Sequence, residues 1–422
     1  MKITAIVIFL VTYLLLLALP RYRAHIALSS AALFVILGIM PVNKVFAAVD
    51  WNVIMMIAGT MGIVSLFIES KMPARLADLL IRKTPNVKWA IIALSLFAGI
   101  ISAFIDNVAT VLMVAPVALT IAKKLKVSPV PSIIAIAVAS NLQGAATLVG
   151  DTTAIMLGGH ANLDFLDFFV LDGKPGMFWV VQAGAVVSTL VLLWVFRKHS
   201  QPINSNDKTE VKDYFPSVLI VSMVVLLIFA SFIPSKPAIT NGIICLGLLG
   251  IGLVRKYIKD RSLQGVVQVF ADIDLFTIGL LAGLFIVVGG ITEVGIISDV
   301  SKFFVKVSKN NVFAVYSIVL WASVLLSAFI DNIPYVATML PVVAGIANIL
   351  AIDPRVLYFG LLAGATLGGN LTPIGASANI AALGILRRDG HEVSIGEFMK
   401  ISVPFTLAAV TTGYVLVWLI WG

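Results

Sequence analysis

Ser102-Ala-Phe-Ile-Asp106-Asn107 recurs letter for letter as Ser327-Ala-Phe-Ile-Asp331-Asn332, 225 positions further on. Each copy sits inside a long apolar stretch and interrupts it with a carboxylate and an amide. A proline follows in each second leg, Pro116 and Pro341, and is read as closing it. At the same offset Thr147-Leu-Val-Gly150 meets Thr372-Pro-Ile-Gly375, and Thr152 meets Ser377. Upstream, Asp50, Gly59 and Glu69 match Asp274, Gly283 and Glu293 at an offset of 224, so one residue is gained between the two blocks. Three aligned stretches identify an internal duplication.

The composition says where this duplication lives. Of 422 residues, 60% are hydrophobic and 12% are charged. Soluble domains carry roughly twice that charge. The mean hydropathy of +1.07 agrees. A soluble enzyme, a nucleic-acid-binding domain and a disordered chain are excluded. The lone Cys245 allows no intrachain disulfide, and the histidines His25, His160, His199 and His391 show no metal-ligand spacing.

Apolar windows long enough to cross a bilayer lie near 4–19, 25–40, 53–67, 131–157 and 178–196, then 216–233, 239–254, 274–291, 356–385 and 403–421. The stretches 87–122 and 312–350 are each cut by Asp-Asn. A two-residue turn joining two full spans is the bland reading. Yet the leg 108–122 would reach only roughly 22 Å, against an apolar core of about 30 Å. Each stretch is therefore read as a re-entrant hairpin. The expected fold is an all-α polytopic membrane protein of ten transmembrane helices and two hairpins. Residues 1–198 form one repeat, 199–213 a connector and 214–422 the second repeat. Five crossings per repeat is an odd number, so the second repeat is inverted.

Alternating sides along this scheme, 21 of the 29 Lys and Arg residues fall on one face, which the positive-inside rule makes cytoplasmic. Both termini are then outside, in a multi-pass cell-membrane protein. Cysteines near Ser205 should be reached only from the cytoplasm, and those near Asp172 and Lys236 only from outside. The segment 72–83 reads as an interfacial amphipathic helix, and Asp164, Asp167 and Asp172 as a solvated loop face. No Lys or Arg falls in the middle of any span.

A carboxylate at the bilayer centre costs about 2.5–3.5 kcal/mol on insertion scales, so Asp106 and Asp331 need a compensating role. Mid-span glycine, threonine and asparagine break the helix ladder and free carbonyls and amides. The candidate binding residues are Asp106, Asn107, Thr110, Thr147, Gly150, Asp151 and Thr152 from the first copy. Asp331, Asn332, Thr372, Gly375, Ser377 and Asn379 come from the second. A coupling Na⁺ would fall to Asp106, Asn107, Asp151, Asp331 and Asn332. Asp151 has no acidic counterpart, because Ala376 stands at the matching position. The first copy is therefore expected to hold the cation or proton, and the second the solute.

With its paired Asp-Asn hairpins and paired Gly-Thr breaks, the chain resembles the ion transporter superfamily, in the branch of arsenite permeases, NhaD-type Na⁺/H⁺ antiporters and the melanosomal P protein. More distantly it resembles the divalent-anion/sodium symporters. There the tips resemble Ser-Asn-Thr. Here Asp106 and Asp331 replace the serine, and Val108 and Ile333 replace the threonine. The resemblance implies a mobile transport domain, a scaffold and elevator motion. The expected activity is H⁺- or Na⁺-coupled movement of a small oxyanion or neutral hydroxide such as arsenite. A Na⁺/H⁺ antiporter and a dicarboxylate or citrate symporter are the alternatives. An intramembrane aspartyl protease is more remote, since no Gly-x-Gly-Asp surrounds either tip. No cofactor is expected. The expected partners are lipid, a small ion or oxyanion and, left open, a second copy of the chain.

Overall fold

The computed structural model describes residues 1–198, 200–202 and 209–422. His199, Ser205 and the middle of the expected connector lie outside the described residues. Among the described residues twenty helices fall into two sets of ten. The first set is α1 (Lys2–Ala18), α2 (Arg23–Ile36), α3 (Val42–Ala48), α4 (Trp51–Glu69), α5 (Met72–Ile81), α6 (Val87–Ser102), α7 (Asn107–Leu125), α8 (Val130–Gly144), α9 (Thr152–Ala161) and α10 (Met177–Val195). The second is α11 (Phe215–Ser231), α12 (Thr240–Asp260), α13 (Leu263–Asp272), α14 (Leu275–Glu293), α15 (Ile296–Val307), α16 (Val312–Ser327), α17 (Asn332–Leu350), α18 (Arg355–Gly368), α19 (Ser377–Arg388) and α20 (Ile395–Trp421). A short antiparallel pair, Val170–Leu171 with Lys174–Pro175, precedes α10.

The duplication extends to backbone detail. Asp50 and Asp274 cap α4 and α14, accepting the N–H groups of Val53 and Thr277. Asn86 and Asn311 cap α6 and α16 in the same way. Lys126 and Ala351, 225 positions apart, both take positive φ, 54° and 52°, just after α7 and α17. Short polar side chains at helix starts satisfy N–H groups that have no partner within the helix.

Two bundles form, each drawing on both sets. In one, α2 packs on α14 and α12 on α4. Contact is close enough that Gly59 has no room for a Cβ beside Cys245, nor Gly283 beside Ala27. In the other, α6 packs on α8, α16 on α18, and α10 on α20. α5 and α15 lie against α7 and α17.

By length and composition, seven helices among the described residues are individually able to cross a membrane, or up to nine if each of two bent pairs counts as one span, against the ten spans expected. Windows of hydropathy run through breaks that helices do not. The stretch 131–157 is α8, a turn and α9, and α6, α8 and α11 have 16, 15 and 17 residues. The second legs are longer than expected. α7 and α17 each have 19 residues, with Pro116 and Pro341 inside them rather than closing them. Interior proline is tolerated in membrane helices because neighbours compensate the lost hydrogen bond. The length argument for a short second leg therefore fails. The amphipathic segment is α5, and its counterpart α15 was not anticipated, nor were α3 and α13. Asp164 pairs with Lys236 and Asp172 with Arg355, so that loop face is ion-paired as well as exposed.

Candidate functional site

Both breaks occur where the duplicated motif places them. Asp106 follows the turn after α6 and caps α7, its Oδ2 accepting the N–H groups of Val108 and Ala109 at 3.0 and 3.1 Å. Asp331 caps α17, its Oδ1 accepting the Ile333 N–H at 3.1 Å. A helix N-terminus carries partial positive charge and unpaired donors, which offsets much of the cost of an acid at these depths. Asn is an equally good cap, so exchanging either acid for Asn keeps the turn.

The two tips differ in charge. Asp331 Oδ2 accepts a bond from Arg23 Nη1 at 2.7 Å, with the two side chains only 9% and 16% exposed. Arg23 opens α2 and also donates from Nε to the Leu16 carbonyl at 3.2 Å. Arg23 stands at a helix start and not in mid-span, yet its side chain brings a cation to the second tip. The sequence placed Arg23 in a loop, but its long side chain extends from a helix start to the tip. Asp106 has no cationic partner among the described residues.

Asp151 caps α9. Its Oδ1 accepts the Thr152 N–H at 2.7 Å, and its Oδ2 accepts the Thr153 hydroxyl at 2.8 Å. Oδ2 also accepts Asn332 Nδ2 of the second tip at 3.3 Å. Asp151 was expected beside the first tip alone. It lines one cavity with Asp106 and is bonded to Asn332 of the second tip, so residues of the two expected sites meet in one place. Asn107 donates to Asn141 Oδ1 at 2.8 Å, and Asn141 donates to the Thr366 carbonyl at 2.7 Å. Asn141 and Thr366 occupy matching positions of the two copies, so this bond lies where the copies meet.

A cavity of about 500 Å³ reaches this cluster. Asp106, Asn107, Asp151, Thr152, Asn332 and Ser377 line it, joined by Ser65, Glu69, Gln268, Asp272, Asp274 and Thr277. Among the described residues five carboxylates and no Lys or Arg line it, and one of the five, Glu69, is paired with Lys256. Asp331 stands just behind, 3.5 Å from the Ser377 hydroxyl. Glu69 and Asp274 had served only to align the repeats, while Ser65, Gln268 and Asp272 had given no signal.

A second cavity of about 520 Å³ lies among Asp50, Phe285, Val288, Gly289, Thr292 and Glu293, and ends against Ala337, Leu340 and Pro341 of α17. The first six positions match Asp274, Met61, Val64, Ser65, Ile68 and Glu69 of the first cavity at the 224 offset. The cavities are counterparts, but no tip residue lines the second.

The remaining candidates do not line either cavity. Thr110 donates to the Asp106 carbonyl, Thr147 to Ala103 and Thr372 to Ala328. Asn379 donates to the carbonyls of Gly369 and Thr372. Thr147 and Thr372 hold the broken helices against the hairpins, while Thr110 bonds within the first turn of α7 and Asn379 within its own broken element. Gly150 and Gly375 permit that closeness. A Cβ on Gly150 would lie 2.7 to 3.0 Å from the carbonyl oxygens of Gly144, Ser102 and Ala103. On Gly375 it would lie 2.6 to 2.8 Å from those of Gly369, Ser327 and Ala328, the matching three. Backbone cannot yield as a side chain can. Gly150→Ala and Gly375→Ala should each destabilise by about 1–3 kcal/mol. Thermal unfolding in detergent checks this, and an unchanged midpoint in both would mean that the breaks are loosely packed.

The apolar helices, with an acidic cavity reaching the two capped breaks, are those of a polytopic membrane protein. Residues 13–364 match the family described as citrate transporter, CitMHS. The chain belongs to that family, within the ion transporter superfamily. An uncharacterized transporter of Mycobacterium tuberculosis is 31% identical over 99% of this chain and 98% of its own length. The human P protein is 26% identical over 93% of this chain and 56% of its own. The fold is similar to the Alcanivorax borkumensis YdaH transporter, with a TM-score of 0.59 and 15% identity over 89% of this chain and 86% of that one. It is also similar to Neisseria gonorrhoeae MtrF, with a TM-score of 0.56 and 16% identity over 87% and 80%. The family is described as one of transporters and not of enzymes, which removes the protease alternative.

Proposed function

We propose that the protein is a cation-coupled secondary transporter in which two inverted repeats alternately open one shared site to the two faces of the membrane. The observation that carries this reading is the pair of matching cavities, one lined by residues of the acidic cluster and the other by α9 and α17 but by no tip residue. In a duplicated chain, exchanging the conformations of the copies would open the second and close the first. The bundle of α1–α4 with α11–α14 is the natural scaffold. The bundle holding both tips is the moving part, in an elevator-type motion.

The cavity chemistry bears on the cargo. Lys256 already pairs with Glu69, but an anion entering past Asp106, Asp151, Asp272 and Asp274 is helped by a cation, bound first or carried with it. H⁺ or Na⁺ at Asp106 and Asp151 meets that need, and a small neutral hydroxide such as arsenite enters freely. A carboxylate cargo is the second reading, supported by the family description and by the guanidinium of Arg23 at the second tip. The decisive assay is uptake into proteoliposomes of citrate, arsenite or phosphate, under an imposed pH or Na⁺ gradient. Uptake that follows the gradient supports the proposal. Na⁺ alone collapsing a pH gradient would make the protein an antiporter, and uptake indifferent to both gradients would refute coupling.

On this reading the open cavity faces the cytoplasm, which the charge split supports. Lys2 pairs with Asp299, Lys44 with Glu293, Lys123 with Asp389 and Arg255 with Asp213, each joining residues assigned to one side. Cysteines at 172 and 236 should react with an impermeant reagent in intact cells, and one at 205 should not. The reverse pattern inverts the orientation.

A further inference from the structure

Two matching glycines have opposite surroundings. Gly159 lies on α9, and Gly384, 225 positions on, lies on α19. A Cβ added to Gly159 would fall 2.4 Å from Asp50 Oδ2 and 2.6 Å from Val53 Cγ2 on α4. A Cβ added to Gly384 would meet nothing within 4 Å. The residues that match Asp50 and Val53 are Asp274 and Thr277, at the start of α14. Val53 is fully buried, whereas Thr277 is half-buried and lines the open cavity. α9 packs on α4, while α19 makes no comparable contact with α14.

From this broken symmetry, and resting on the alternating-access reading above, we infer that Gly159 and Gly384 are alternate docking points of the moving bundle on the scaffold. In the present state Gly159 seats against Asp50 and Val53. In the opposite state Gly384 seats against Asp274 and Thr277, and Gly159 is released. The capped starts of α4 and α14 make firm seats. The Asp50 carboxylate is held by its bond to the Val53 N–H, and Val53 is β-branched with little rotamer freedom. Asp274 is held twice by Thr277, through its N–H and its hydroxyl. Neither seat can make way cheaply for a side chain, so a bulky residue at either glycine blocks one state and leaves the other.

The test uses Gly159→Leu and Gly384→Leu in the full chain, with single reporters Val53→Cys and Thr277→Cys. The native Cys245 is buried. Labelling by a small thiol reagent is measured in membranes permeable from both sides. Gly384→Leu faces open space here and should fold normally. It should keep Thr277→Cys reactive, keep Val53→Cys protected, and lower transport about tenfold or more. Gly159→Leu should reverse the pattern, raising Val53→Cys labelling about tenfold and protecting Thr277→Cys. Gly159→Ala, a milder change, should move both reporters in the same direction as Gly159→Leu but less. The parent chain, carrying both glycines, is the control for the transport reading. If its reporters respond reciprocally to solute and ions but neither glycine variant biases them, the docking inference is overturned alone. If its reporters never respond reciprocally, alternating access falls and the inference falls with it. Gly384→Leu with full transport and unchanged labelling also overturns the inference.

Discussion

Arg23→Ala should destabilise the folded protein by about 3 kcal/mol, because it strands the Asp331 carboxylate at a nearly dry helix tip. Asp331→Asn alone should cost less. Asn still caps α17, and the guanidinium left behind is the more exposed partner. The double variant, Arg23→Ala with Asp331→Asn, should recover most of the loss, since no unpaired charge then remains. Thermal unfolding of the four proteins in detergent gives the coupling directly. Additive losses would mean that the pair is solvated and unimportant. Asp106→Asn should leave stability nearly unchanged, because Asp106 has no cationic partner among the described residues to abandon.

The second large effect is on transport. Asp106→Asn and Asp151→Ala should each lower ion-driven uptake about 100-fold, the equivalent of about 2.7 kcal/mol and the scale of one lost contact to a charged group. Asp151 lines one cavity with Asp106 and is bonded to Asn332 of the second tip. Asp151→Ala should therefore shift the pH or Na⁺ dependence of uptake more than the apparent affinity for solute. Ser377→Ala, at the exposed edge of the same cavity, should do the opposite. If Asp151→Ala leaves the ion dependence untouched while Ser377→Ala changes it, the acids do not hold the coupling cation.

Much of this was legible in the chain because duplication leaves letters. The identical hexapeptide located both tips, and the matching Thr and Gly residues located both broken helices. Asp50, Asp274, Glu69 and Glu293 were found as alignment marks, yet they line the two cavities. What could not be read was contact between distant segments. Arg23 meets Asp331 across 308 positions, and nothing local to Arg23 signals it. Asp151 was assigned to its own repeat, when the fold carries it to the other repeat's tip. Hydropathy also misled at prolines, since a membrane helix continues through Pro116 where a soluble one would more often end. The short helices α3 and α13 escaped because they are seven and ten residues long and lack the length of a span.

The central claim is that one acidic site is exposed alternately to the two faces by exchange between matched repeats. Spin labels at Trp51 and His160 report the seating of α9 on α4. Labels at the matching Leu275 and Ile385 report the seating of α19 on α14. Distances measured by pulsed electron resonance in lipid, with and without the coupling ion and solute, give the test. The first distance should lengthen as the second shortens, in the same fraction of molecules. Two distances that stay fixed, or that change in the same sense, would contradict it.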